Sequence, residues 1–309
     1  MTDLRIREMR PSDKSEVSEL ICVSTNQWYL MHGFDANFPG GPRVTEIFYD
    51  VYSVLEGSWG IVAENKKTSR LMGTCFYHIR PTHVALGIMN VHPNYFKLGV
   101  ARSLLKYITD ISDRENKPLR LISSAMNLDS YSLYNQAGFI PHFIYQDILL
   151  TVPENGIKDD IPGLKNVRPA TLGDVPGMVN LELEISGIQR GGDYAYFIEN
   201  RDGLWHVSVW EGNNGEINGF LASCSGHGFN MLGPGVSRDQ EQATALILQE
   251  ANQNKGKTIL FIIPAESSRL VKRMYEWGGK NNELHFSQVR GEFTPYSGVI
   301  IQTFMPETG

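Results

Sequence analysis

The stretch MNVHPNYFKLGVARSLLKYI, residues 89–108, decides how the first half of this chain is read. An apolar run ends at Val91, Pro93 removes a ladder donor, and Gly99 and Ala101 open a segment whose apolar residues recur at helical spacing. A strand is therefore expected to turn sharply into an amphipathic helix. The first N–H groups of such a helix lack internal partners and carry the positive end of its dipole. Small residues at 99 and 101 let anionic oxygens approach the main chain, and Lys97 and Arg102 add positive charge. By itself the stretch reads equally as a diphosphate cradle or as a tight strand-to-helix turn.

Working outward, NLDSYSLYNQAGF (residues 127–139) spaces Asn127, Ser130, Leu133, Tyr134 and Gly138 so that Leu133 is expected to face a core. Tyr134 then stands one helical step away, and Gly138 ends the helix. Upstream, helices are predicted over 13–25 and 44–56, separated by NQWYLMHGFDANFPGGP (26–42), which is too broken to be one regular element. Strands are predicted at 59–63, 71–79 and 84–91, then a helix at 99–114, a strand at 119–125, a helix at 130–136 and a strand at 139–150. This order implies a mixed α/β fold of the α+β kind, with a sheet between helices.

The chain start recurs. IREMRPSDKSEV (6–17) and VRPATLGDVPGM (167–178) each place an aspartate, Asp13 or Asp174, six residues after an arginine, Arg7 or Arg168, where a helix can be capped. Between the copies, VPENGIKDDIPGLKN has a linker's composition. Two domains follow: 1–151, a linker at 152–166, and 167–309. In the second, a helix is expected after Thr171, strands at 205–210, 217–224 and 258–264, and helices at 239–252 and 267–277.

Together the two motifs of the first half resemble the GNAT superfamily of acyl-CoA-dependent N-acyltransferases, so the chain is similar to a tandem of two GNAT-like domains. The resemblance implies fourth and fifth strands that splay to admit a pantetheine arm. It implies that Met89, Asn90 and Val91 pair with that arm, with the Val91 N–H on the thioester carbonyl. The amides of Leu98, Gly99, Val100, Ala101 and Arg102, with Lys97 nearby, would bind the pyrophosphate of acetyl-CoA. Asn127 would touch the cofactor arm and Tyr134 would protonate the departing thiolate. An amine, small-molecule or peptide, would attack directly, without an acyl-enzyme. By order, residues 28–42 correspond to the region that shapes the acceptor pocket, so Trp28, Tyr29, His32, Phe34 and Phe38 can form an acceptor wall or simply pack locally. Phe96 stands where the family usually has Gln or Arg, Ala101 replaces a second glycine, and the fourth strand carries no carboxylate to serve as base. His83 and His92 are the nearby alternatives.

The corresponding loop of the second half, LGPGVSRDQEQATALI, has no glycine at its helix start and carries Asp239 and Glu241, which would repel a diphosphate. Tyr275 and Gly278 resemble Tyr134 and Gly138, with Tyr275 read as a packed helix aromatic. The second copy is expected to be degenerate and to buttress the first, close its acceptor cleft or mediate a homodimer. Two other readings remain: a non-catalytic acyl-CoA sensor or scaffold, and a tandem acyltransferase of the mycothiol synthase type with chemistry in the second copy.

Composition sets the frame. Of 309 residues, 41% are hydrophobic and 20% charged, as in an ordinary globular protein. A formal charge of -6 disfavours nucleic acid and anionic membrane as partners. No apolar run approaches the roughly 20 residues that span a bilayer, and the charged N-terminus is unlike a signal peptide, so a cytoplasmic protein is expected. Cys22, Cys75 and Cys224 lack metal or disulfide spacing and are expected to be reduced core thiols, with no metal.

Overall fold

The repeated Arg–Asp spacing becomes a repeated clasp. In the computed structural model, which describes residues 3–226 and 229–306, Arg7 grips both oxygens of Asp13 at 2.7 and 3.0 Å, and Arg168 grips both of Asp174 at 2.8 Å. Each aspartate also accepts a backbone N–H three residues back, from Arg10 or Thr171 at 2.7 Å. Each arginine turns its Nε to a second carboxylate, Glu64 or Glu211. Bidentate, charge-assisted pairs of this kind fix the angle at which a strand hands over to a helix.

Contacts divide the chain between Leu119 and Arg120, with 304–306 joining the first unit. The first unit contains β1 (Leu4–Glu8), α1 (Lys14–Met31), α2 (Pro42–Tyr52), β2 (Ser58–Asn65), β3 (Leu71–Ile79), β4 (Val84–Val91) and α3 (Val100–Glu115). Strands β1 to β4 form an antiparallel meander. Cys75 pairs with Met89 but Tyr77 with Leu86, so two residues of β4, Gly87 and Ile88, stand against Phe76 alone. This bulge bends β4. Before it the strand is buried; after it, residues 88–91 are half-buried. Gly73 on β3 allows α3 to lie close, since a Cβ there would come within 2.9 Å of the Val100 side chain and 3.1 Å of Leu104.

Helix α1 runs through Met31, past the expected end at Thr25, and so includes the first part of the aromatic stretch. Asn26 does not break it. Its side chain instead accepts from the Phe38 N–H at 2.7 Å and donates to the Phe38 carbonyl at 3.0 Å, folding the following loop back on the helix. Gly33, at φ +83°, supplies the turn.

The second unit holds β5 (Leu119–Ser124, from Arg120 on), α4 (Leu128–Gln136), β6 (Ile140–Thr151), β7 (Val167–Pro169), α5 (Val175–Ser186), α6 (Gly191–Glu199), β8 (Trp205–Glu211), β9 (Ile217–Gly226), β10 (Phe229–Ser237), α7 (Gln240–Gln253), β11 (Thr258–Pro264), α8 (Ser268–Glu276), β12 (Lys280–Arg290) and β13 (Val299–Ile301). Its strand order is β5-β12-β6-β11-β10-β9-β8-β7, with β13 on β10. Strand β12 thus separates β5 from β6, and β6 separates β11 from β12, both pairs of β6 being antiparallel. The linker-like segment 152–166 lies inside this unit because β6, which precedes it, pairs with strands that follow it. Its core gathers Ile148, Leu150, Leu246, Phe261, Leu270 and Met274. Strands β10 and β12 and helix α6 were not foreseen from the sequence. All three cysteines are buried thiols outside any disulfide.

Candidate active site

The site is built first at the entry to α3. A short turn, Pro93–Tyr95, is capped by His92, whose Nδ1 accepts the Asn94 N–H at 3.2 Å. Lys97 (φ +63°) and Gly99 (φ +81°) then take left-handed conformations that reverse the chain into the helix. The first helical bond runs from the Ser103 N–H to the Gly99 carbonyl at 3.0 Å, and no side chain caps the N-terminus. The amides of Val100, Ala101 and Arg102 therefore open the helix with the dipole's positive end uncovered. A Cβ at Gly99 would meet nothing within 4 Å, so this glycine serves the backbone angle and the space beside it is open. Lys97, Leu98 and Arg102 are exposed around it.

Met89, Asn90 and Val91 lie beyond the β4 bulge, in the half-buried part of the strand. The Asn90 side chain donates to Thr25 Oγ1 at 3.3 Å while its buried Oδ1 finds no partner. Of the histidines weighed as bases, His83 is fully buried and His92 is engaged as the turn cap.

At the end of α1, Trp28 stacks on His32 with ring centres 4.2 Å apart and meets Tyr29 edge-on at 5.2 Å, and Tyr29 meets Phe34 at 6.2 Å. Phe34, Leu30 and Met31 are exposed. Phe38 is separate from this group, buried against Phe48.

In the second unit, Asn127 caps α4, its Oδ1 accepting the Ser130 N–H at 3.1 Å. Tyr134 is buried, 7% exposed, with its ring 5.8 Å from Phe139. Leu133, expected to face the core, is only half-buried. The reason is local: Gly138 at φ +90° folds Phe139 back, its N–H bonding the Tyr134 carbonyl at 3.1 Å, and this puts Tyr134 on the inner face. Strand β12 steadies the helix. Gln288 donates to Asn135 at 3.0 Å and accepts from Ser123 at 2.6 Å, and Arg290 donates to the Ala137 carbonyl at 3.1 Å. No local pattern announces this support, because β12 is polar in composition.

The corresponding places of the second repeat are filled. Asp239 caps α7 with its own carboxylate, accepting the N–H groups of Glu241 and Gln242 at 2.9 Å each. Strand β10 pairs with β11 only at Met231–Leu260. After its bulge it pairs instead with β13, and the Gln302 N–H reaches the Ile262 carbonyl of β11 at 3.2 Å. Residues 299–303 are buried in that wedge. Helix α8 ends as α4 does, with Gly278 at φ +89° and the Gly279 N–H on the Met274 carbonyl at 2.9 Å. Counted from that glycine, the place of Tyr134 belongs to Met274, which is fully buried. Tyr275 was expected there as a packed aromatic; it is 45% exposed and donates its hydroxyl to Gln146 at 2.7 Å.

Comparison with known proteins matches residues 27–139 to the acetyltransferase (GNAT) family and residues 178–291 to an acetyltransferase (GNAT) domain. A curated relative, the UPF0157 protein YqkA of Bacillus subtilis, is 28% identical over 102 residues, which is 33% of this chain and 28% of that protein's length. Among solved structures, a candidate acetyltransferase from Pyrococcus horikoshii is similar with a TM-score of 0.72 and 15% identity, over 99% of this chain and 96% of that one. A GCN5-related N-acetyltransferase from Sphaerobacter thermophilus gives 0.62 at 16% identity, over 96% and 98%. A tandem GNAT protein from the clavulanic acid biosynthesis pathway gives 0.62 at 11% identity, over 94% and 100%. At these identities the likeness concerns the fold. Among the described residues, no helix is long and apolar enough to cross a membrane.

Proposed function

The chain belongs to the GNAT acetyltransferase family through both of its halves, and from that membership we propose that it transfers an acetyl group from acetyl-CoA to a primary amine, with the cofactor held by the first repeat. The observation that carries this reading is the uncapped start of α3, where Gly99 turns the chain and the following amides are left for an anion.

In this reading the amides of residues 98–102 hold the pyrophosphate, with Lys97 and Arg102 adding charge, and Met89, Asn90 and Val91 take the pantetheine arm. The Val91 N–H polarises the thioester carbonyl, as a donor aimed at a developing oxyanion does. The amine nitrogen bonds to that carbonyl carbon, the carbon–sulfur bond breaks, Tyr134 gives its proton to the departing thiolate, and the nitrogen's surplus proton passes to water, from which the tyrosine is reprotonated. Asn127, whose oxygen caps α4, offers its NH2 group to the cofactor arm. The aromatic group of half-buried Trp28 and Tyr29 with exposed Phe34 suits the wall of an acceptor site. The second repeat serves as support, through the bonds that β12 makes to α4.

Calorimetry with acetyl-CoA, followed by a broad amine panel read through release of free coenzyme A thiol, tests the proposal. One acetyl-CoA bound per chain and thiol release with at least one amine are expected. Absence of binding sinks the reading; binding with no thiol release across the panel leaves a non-catalytic acyl-CoA sensor.

A further inference from the structure

The second unit buries two arginines and treats them differently. Arg190 and Arg120 are each 2% exposed. Glu182 grips Arg190, its Oε1 2.7 Å from Nη2 and 3.1 Å from Nε, and Nε also donates to the Tyr194 hydroxyl at 3.1 Å. Arg120, on β5, is met by no carboxylate. Its Nη1 donates to the Tyr296 hydroxyl at 3.4 Å and its Nη2 to the Ser186 carbonyl at 3.3 Å, both long, while the buried Nε makes no hydrogen bond. Among the described residues Arg120 forms no ion pair. Glu182, whose charge also reaches Tyr296, is already taken by Arg190.

A guanidinium does not shed its proton on burial, and a buried charge without a counterion is costly to keep. The charge is felt around it: after burial itself, Arg120 holds the His142 imidazole below its ordinary value. What covers Arg120 is a loop. Residues 291–298 join β12 to β13, start at Gly291 with φ +98°, and rest on the end of α5 through the Ser297 N–H on the Ile185 carbonyl at 3.0 Å. The loop lays two rings on β6, Tyr296 parallel to Phe143 at 4.5 Å and Phe293 parallel to His142 at 3.6 Å. Tyr296 is half-buried and touches Arg120, so solvent is one side chain away. The buried Ser287 hydroxyl stands beside that of Tyr296. We propose that Arg120, beneath Tyr296 and near Ser287, anchors a binding site for the carboxylate of a small organic acid, whose apolar body meets the rings of Phe143 and Phe293 and which enters as the 291–298 loop swings aside. The two oxygens of a carboxylate match the fork of guanidinium N–H groups, and its single charge balances the single charge there. A phosphate dianion would overshoot that balance. The site uses none of the groups assigned to acetyl transfer, so it stands or falls separately from that reading.

The test uses the full chain and calorimetry with acetate, benzoate and phenylacetate, each set against its neutral amide, and with inorganic phosphate. We expect one carboxylate bound per chain, at least about tenfold tighter than its amide, because the amide loses the charge-assisted fork. Arg120→Met, which keeps the bulk and removes the charge, should abolish that preference. Arg120→Lys, which keeps the charge without the fork, should weaken carboxylate binding at least about tenfold. No carboxylate outbinding its amide, phosphate outbinding all three acids, or an unchanged affinity in Arg120→Met overturns the proposal. Should the buried variants fail to fold, nitrogen-15 NMR of the parent decides: the Arg120 Nε–H resonance must shift when the tightest carboxylate is added, and an unshifted resonance overturns the site.

Discussion

Helices α3 and α7 each follow the fourth strand of their repeat, yet they begin in opposite ways. Helix α3 starts at a left-handed glycine with no side-chain cap, whereas α7 starts at Asp239, whose carboxylate takes the first-turn amides itself. In the second repeat a buried Met274 stands where the first has a buried Tyr134, and β13 fills the wedge between β10 and β11. A repeat can thus keep its fold while each place that a cofactor would need is taken up by the chain's own atoms. What is lost is vacancy, not architecture.

The contrast can be broken deliberately. Copying the second repeat's residue into the first by Tyr134→Met should have the largest effect, lowering turnover about 10²–10⁴-fold through loss of the proton donor while acetyl-CoA affinity holds. An unchanged kcat in the free-thiol assay would remove the tyrosine's role. Next, Gly99→Asp installs an acidic side chain at the open terminus and forces a side chain into a left-handed backbone, so acetyl-CoA affinity should fall at least about tenfold in calorimetry. The reverse change, Asp239→Ala, should cost about 1 kcal/mol of stability by loss of a cap. It should leave the stoichiometry at one acetyl-CoA per chain, because β13 still occupies the wedge; a second bound cofactor would show that the carboxylate alone had closed that site.

The smallest difference lies between the twin clasps. Arg168 holds the Asp174 carboxyl down at about 2 from its ordinary 3.8. At Asp13, burial pushes up, and Arg7 together with the Arg10 backbone N–H more than cancels it, so the carboxyl is lowered there too. A depressed carboxylate contributes stability that is full above its unfolded value and is lost as pH falls through the folded one. The Asp174 contribution should therefore be complete above about pH 4 and fade towards pH 2. Asp174→Asn should flatten that part of the Tm-against-pH curve.

Much of the first repeat was legible because its punctuation is local. Pro93, Gly99 and Gly138 each act on the residues beside them, and the turn into α3 and the end of α4 follow. The aromatic stretch reads as a break because Asn26, by its type a loop residue, spends its side chain on Phe38, 12 residues further along the chain. Strand β12, KNNELHFSQVR, reads as polar surface, yet Glu283, His285, Ser287 and Gln288 are all buried. Glu283, His285 and Gln288 are met across strands by Ser124, Asp147 and Ser123, which no local pattern reveals. The second repeat's tyrosine was placed by matching residue type, and counting from the helix-ending glycine would have pointed to Met274 instead. The open start of α3 was legible because main-chain donors depend on backbone shape; a proton acceptor was not, because it depends on which side chains converge.

The exchange of β6 and β12 has a consequence for how this protein can be divided. A cut within 152–166 would yield two fragments, neither able to complete its own sheet, since the first needs β12 and the second needs β6 as an inner member. Expressed apart, they would display raw strand edges open to aggregation; expressed together, they should reconstitute as a split protein. The tether turns what would otherwise be a concentration-dependent partnership into an intramolecular one, fixing the stoichiometry of the two copies at one to one regardless of how dilute the cell keeps them.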